Sequence, residues 1–196
     1  MRRRNARTLW AEKIAKGTTS GAERVSSQEF GVRRAYEGDV IGIDPSLRGT
    51  GLAVLRFTPN SGVEAVLCAS RTLRLGAKLS MSACLGEIYK GVSDLIEEWP
   101  IRHVALEQTI YVQNFQTALI LGAARGAAIS AASVFGKPVF EYPPLRVKQA
   151  VVGFGRASKQ QVAGMTRRIL SLSEELPFDE SDAAAIALCH AYTWRG

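Results

Sequence analysis

Five residues near position 40 limit the possible folds of this chain more than any others: Val40-Ile41-Gly42-Ile43-Asp44, followed by Pro45-Ser46-Leu47-Arg48-Gly49-Thr50-Gly51-Leu52-Ala53-Val54. A short apolar run bounded by a turn signal is a strand buried on both faces, and therefore central in a sheet. It ends in a carboxylate, so Asp44 stands at the rim of a core. Pro45 has no amide to give a partner strand, and Gly49 and Gly51 supply turn flexibility, so the chain is expected to fold back as a second strand over 52–57. Taken alone, Asp44 fits an Asx turn, bonding nearby backbone amides, as well as it fits a functional site.

The turn Pro59-Asn60-Ser61-Gly62 leads to a third antiparallel strand over 63–73. Met81, Cys84, Leu85, Ile88, Val92, Leu95 and Ile96 recur at helical spacing and predict a helix over 80–98 that stops before Pro100. Arg102-His103-Val104-Ala105-Leu106-Glu107 is another apolar strand ending in an acid. Asn114 suits the cap of a long Ala/Gly helix, 137–141 reads as a short fifth strand, and further helices are expected over 145–151, 159–172 and 181–192. Three antiparallel strands followed by strand–helix–strand predict an α/β fold, a five-stranded mixed sheet flanked by helices. The right-handed crossover rule sets the fourth strand beside the first.

The long helix carries Ala118, Gly122, Gly126 and Ser130 on one stripe. Interior glycines cost about 1 kcal/mol each relative to alanine, so the stripe implies close packing, against the sheet or against a symmetry-related helix. Residues 117–136 hold one charge, Arg125, and are long enough to span a membrane. An arginine near the centre, with three glycines and two serines, argues instead for a buried soluble helix.

At 196 residues a single domain is expected, over 39–196, after a basic N-terminal extension. Residues 1–37 hold nine Lys/Arg and four Glu, a net +5 of the chain's +7. Residues 1–38 lack sustained periodicity and read as disordered, with a short helix near 9–14. The four Glu argue against an organellar transit peptide, and no secretory apolar region follows. Cys68, Cys84 and Cys189 are widely spaced and odd in number, which suits a reducing cytoplasm rather than a disulfide framework or zinc site. Residues 137–168 carry seven basic residues and one acid, whereas 169–190 carry five acids and no Lys or Arg. That juxtaposition suits a phosphodiester substrate beside a metal.

Four acids stand out. Asp44 and Glu107 end strands expected to be neighbours, so both project from one sheet edge. Asp179 and Asp182 lie three apart at the start of the last helix and share a face. Asp179 also fits an N-cap with an acid three residues on. Against that role, Asp182 shares its face with Ile186 and Cys189 on an Ala-rich helix. A buried carboxylate beside others is either protonated or neutralised by a hard cation. Oxygen ligands without a His/Cys cluster point to Mg2+ or Mn2+. Two such ions could activate water and stabilise a leaving oxygen in phosphodiester hydrolysis.

From position 39 to about 192 the chain resembles the RuvC family of Holliday-junction resolvases, in the RNase H-like nuclease superfamily. The matching stretches are Ile41-Gly42-Ile43-Asp44-Pro45, Ala105-Leu106-Glu107-Gln108, Leu121-Gly122-Ala123-Ala124-Arg125-Gly126, Val139-Phe140-Glu141-Tyr142, Val147-Lys148-Gln149-Ala150-Val151-Val152-Gly153 and Asp179-Glu180-Ser181-Asp182-Ala183. The resemblance implies a homodimer that nicks opposing strands of a four-way DNA junction, with Asp44, Glu107, Asp179 and Asp182 as metal ligands. It also implies Lys148 and Lys159 near the substrate phosphate, and a branch-migration partner of the RuvAB kind. Ser46 stands where the family usually has glycine, and the extension has no family counterpart. The family's aromatic after the strand-four Glu is here Ile110, with Tyr111 next, so Tyr111 is expected to stack on junction bases. Three other functions compete. An actin-like ATPase or sugar kinase also opens with an apolar strand, an Asp and Gly-Thr-Gly, but needs two copies of the domain. A pre-ribosomal-RNA nuclease would prefer structured RNA, and a non-catalytic junction-binding protein would be expected to lack an acid.

Overall fold

In the computed structural model, which describes residues 35–59, 65–108 and 114–195, the apolar run is the central strand. Strand β1 (Gly38–Asp44) pairs antiparallel with β2 (Gly49–Phe57), and β2 pairs antiparallel with β3 (Val66–Arg74). On its other side β1 pairs in parallel with β4 (Ile101–Glu107), and β4 pairs in parallel with β5 (Val139–Tyr142). The order β3-β2-β1-β4-β5 is the expected mixed sheet, with strand four beside strand one. Helices α1 (Met81–Glu98), α2 (Phe115–Val134), α3 (Pro144–Val152), α4 (Lys159–Ile169) and α5 (Phe178–Thr193) flank it.

Strand alternation sorts the core into two layers. Ile41, Ile43, Leu52, Val54, Val104 and Leu106 pack with Ile88 and Val92 of α1 and Ala124 and Ala128 of α2. Val40, Ala53, Leu55 and Ala105 pack with Val147 of α3, Val162 of α4 and the apolar run Ala183 to Cys189 of α5. Fully burying a side chain such as Ile41 or Leu52 contributes about 1.5–3 kcal/mol, so the two-sided burial of β1 anchors the sheet. The same alternation turns Gly42, Asp44 and Glu107 toward α5.

Several boundaries differ from expectation. β2 starts at Gly49, so the turn is only 45–48, and Ser46 and Thr50 close it: the Thr50 hydroxyl donates to the Ser46 carbonyl, and the Gly49 N–H donates to Ser46 Oγ at 3.1 Å. Gly51 therefore serves a packing role inside the strand rather than a turn. α4 stops at Ile169 because Leu170 caps it and Ser171 turns left-handed at φ 52°. α5 starts at Phe178 behind Pro177, so Asp179 lies inside the helix and is not its N-cap.

The long helix α2 buries only a narrow stripe, Ala124, Ala128, Ala131 and Ala132, against the sheet and α1. It is not the enclosed helix that its composition suggested: Phe115, Leu119 and Val134 are exposed. A Cβ on Gly122 or Gly126 would meet nothing within 4 Å, so the glycines do not mark packing on this chain's own sheet.

The compact unit begins at Ala35 rather than 39. Tyr36 is buried against Phe57, His103, His190 and Trp194, and Arg102 donates to the Glu37 carbonyl at 2.8 Å. Beside it runs a buried polar chain, with Tyr142 Oη 2.7 Å from His190 Nδ1 and His190 Nε2 2.9 Å from His103 Nδ1. The expected helix near 9–14 lies outside the described residues.

Candidate active site

The site is assembled by seating α5 directly on the sheet. A Cβ on Gly42 would lie 1.9 Å from the Ala183 carbonyl oxygen, and one on Gly51 would lie 1.9 Å from that of Asp179. Glycine within a buried strand marks such a close backbone approach. Gly51 is the register partner of Asp44, so the first turn of α5 comes down in the row that ends in Asp44. Asp44 and Glu107 follow directly on the last parallel pair, Ile43 and Leu106, and turn to the same face. Asp179 and Asp182, three apart on α5, complete the group.

A cavity of about 320 Å³ opens here, lined by Asp44, Glu107, Asp182, Lys148 and Lys159, with Pro144, Val147 and Val162 as its apolar wall. Lys148 comes from α3, and Lys159 is the first residue of α4. Lys159 Nζ reaches Asp182 Oδ2 at 3.1 Å. Asp179 does not line the cavity, yet its charge acts on both Asp44 and Lys159.

Burial and neighbouring charges set the protonation of this group. Burial pushes the Asp44 carboxyl up to about 7, helped by Glu107, Asp182 and Asp179 and opposed by Lys159. Glu107 is raised by burial and by Asp182, while Lys159 and Lys148 pull it down. Lys159 is held above its usual range by its hydrogen bond to Asp182 and then by the surrounding carboxylates. Charges at this spacing resist joint ionisation unless a cation is shared among them. Among the described residues no three His, Cys, Asp or Glu side chains are already placed to hold a metal ion together. The donor chemistry nevertheless fits a hard divalent cation: only carboxylate oxygens, crowded enough to raise one another's proton affinity, with one ammonium already drawn in.

Three of the four sequence-predicted acids, Asp44, Glu107 and Asp182, thus meet both lysines at one cavity, and Asp179, outside its lining, acts there through its charge. Ile110 and Tyr111 lie outside the described residues. Glu180 carries no signal of its own in the sequence, yet its carboxylate accepts hydrogen bonds from Ser70 Oγ at 2.6 Å and Thr72 Oγ1 at 3.2 Å, both on β3. No sequence spacing links positions so far apart, whereas Gly42 in an otherwise apolar strand was a legible sign of close approach.

An acid cluster across the first and fourth strands and the last helix, on a sheet of this order, defines an RNase H-like nuclease. The family model for crossover junction endodeoxyribonuclease RuvC matches residues 40–190. The chain is 44% identical over 153 residues to RuvC of Halorhodospira halophila (78% of this chain, 89% of the relative), and 43% identical to that of Geotalea uraniireducens (78% and 87%). The structure of Thermus thermophilus RuvC in complex with Holliday junction substrate superposes with TM-score 0.74 at 34% identity, covering 80% of this chain and 94% of that one. Yeast mitochondrial Ydc2, at 11% identity and TM-score 0.59 over 81% of this chain and 82% of its own, shares the fold. This chain belongs to the RuvC family of crossover junction endodeoxyribonucleases, which are metal-dependent nucleases.

Proposed function

We propose that this protein resolves four-way DNA junctions by paired, metal-dependent nicks in opposing strands. The observation that carries this reading is the convergence of Asp44, Glu107 and Asp182, from three distant segments, on a cavity rimmed by Lys148 and Lys159, with the charge of Asp179 acting on Asp44. The four acids would hold Mg2+, with Mn2+ able to substitute, as two ions. When bound, the metal lowers the pKa of a water and stabilises charge on the leaving oxygen. The chain's own groups do the rest. Lys148 and Lys159 draw the phosphate backbone to the rim, and the seating of α5 on Gly42 and Gly51 fixes the spacing between its acids and Asp44.

Support for the junction as substrate comes from the T. thermophilus relative, described in complex with a Holliday junction. Support for a homodimer, which two opposed nicks require, comes from α2: Phe115 and Leu119 stand 77% and 55% exposed beside the uncovered Gly122 and Gly126. A branch-migration machine of the RuvAB kind would present the junction to that dimer.

The test is cleavage of a mobile synthetic junction with Mg2+, with ends mapped. The wild type should cut opposing strands in pairs, and Glu107→Gln should abolish cleavage while junction binding survives, because the amide keeps shape but loses ligand charge. Near-wild-type cleavage by Glu107→Gln, or a preference for structured RNA over the junction, would overturn the reading.

A further inference from the structure

We infer that Glu180 is a positioning residue for the acid cluster, a strut that fixes the first turn of α5 by reaching across β2 to β3. This rests on the nuclease reading above. α5 has Pro177 at its N-cap and no side-chain cap, so the turn that carries Asp179 lacks the usual clamp on a helix start. Its underside rests on Gly51, where van der Waals contact resists inward movement but not sliding along the sheet. On one side the Lys159 ammonium holds Asp182 at 3.1 Å.

On the other side Glu180 is gripped by two hydroxyls. Ser70 Oγ donates to one carboxylate oxygen and Thr72 Oγ1 to the other. Both donors sit on β3, the edge strand, and Thr72 is the register partner of Gly51, which is itself the partner of Asp44. Asp44, Gly51 and Thr72 therefore form one row across three strands, and Glu180 ties the helix to the far end of it. Because Glu180 directly follows Asp179, locking its carboxylate fixes the rotation and height of the Asp179 Cα. Hydrogen bonds to a charged group are stronger than those between neutral groups, so this pair can hold a helix end that has no side-chain cap. Groups that orient metal ligands from behind typically contribute about 10–100-fold to metal affinity or activity.

The test compares Glu180→Ala, Glu180→Gln and the double change Ser70→Ala/Thr72→Val in the full chain. Three quantities are measured: Mn2+ affinity of the protein alone by titration, junction affinity without divalent metal, and the single-turnover cleavage rate with Mg2+. Glu180→Ala should weaken Mn2+ binding and slow cleavage by about tenfold while leaving junction affinity within about twofold. Glu180→Gln, whose amide can accept from Ser70 and donate to Thr72 Oγ1, should recover most of that loss. The β3 double change should match Glu180→Ala, and combining all three substitutions should add little.

A Gln variant as impaired as Ala would make the charge itself essential and overturn the strut. So would a lowered melting temperature with Mn2+ affinity and cleavage unmoved, or additive losses from the two ends of the contact. If the wild type binds Mn2+ and loses it in Glu180→Ala yet cuts no junction, the strut stands and the proposed substrate fails. A wild type that cuts junctions with no effect of Glu180→Ala fails the strut alone.

Discussion

Replacing Gly51 by alanine tests how the site is built, because the clash it creates falls on the backbone of a proposed ligand. The added Cβ would sit 1.9 Å from the Asp179 carbonyl oxygen and 2.5 Å from its carbonyl carbon, whereas ordinary contact begins near 3.4 Å. The first turn of α5 must then lift by about 1.5 Å, the difference between 3.4 and 1.9 Å, since the other face of β2 is packed through Leu52 and Val54 against the layer of α1 and α2 and cannot retreat. Overpacking of this kind costs about 1–3 kcal/mol. At about 2–4 °C per kcal/mol for a domain of this size, the melting temperature should fall by about 2–12 °C. Cleavage should suffer more, because a misplacement of about 1 Å in a reacting constellation costs about 100-fold. Urea melts, junction binding without divalent metal, and single-turnover cleavage with Mg2+ separate these effects. We expect a folded variant with near-normal junction binding and a cleavage rate down by about two orders of magnitude. A folded Gly51→Ala protein that cleaves within about threefold of wild type would refute the idea that the seating of α5 on β2 sets the acid spacing.

Two further outcomes follow from the same geometry. His190 is fully buried and its pKa is pushed down to about 3 by burial and by His103, so the unfolded chain takes up its proton first and stability is lost as pH falls from about 6.5 toward 3. Asp44, raised to about 7 in the folded state, works oppositely over the overlapping window and gains stability as pH falls. Asp44→Asn should therefore uncover the histidine loss, up to about 1.4 kcal/mol per pH unit, as a steeper fall of the urea midpoint between pH 6.5 and 4.5 in EDTA; parallel curves for the two proteins would contradict this. Lys148→Ala and Lys159→Ala should each slow cleavage and flatten the salt dependence of junction binding by about one unit of slope, whereas unchanged slopes and rates would return both to ordinary solvated surface.

Much of this was legible in the chain. The apolar run ending at Asp44, the acid-terminated strand at Glu107 and the i, i+3 acids Asp179 and Asp182 are local patterns. Strand parity and helical spacing act over a few residues, so sequence alone places each acid on an element and a face. Sheet order also followed, because a crossover between parallel strands has one favoured hand. Tertiary structure decided what depends on backbone approach between distant segments. In the sequence Gly51 reads as a turn residue, since a missing Cβ looks the same in a turn and under a helix, and the seating of α5 on it decides between them. Asp179 fits both a cap and a metal ligand in the sequence, because the two chemistries use the same residue at the same place, and only the observed start of α5 behind Pro177 removes the cap. The stripe on α2 announced close packing, but its open face shows that the partner is not this chain's own sheet. The Glu180 contact with Ser70 and Thr72 joins residues more than a hundred positions apart. Such a contact exists only once the sheet has put β3 and α5 within a hydrogen bond of each other, because hydrogen bonds, unlike hydrophobic periodicity, leave no repeating trace along the chain.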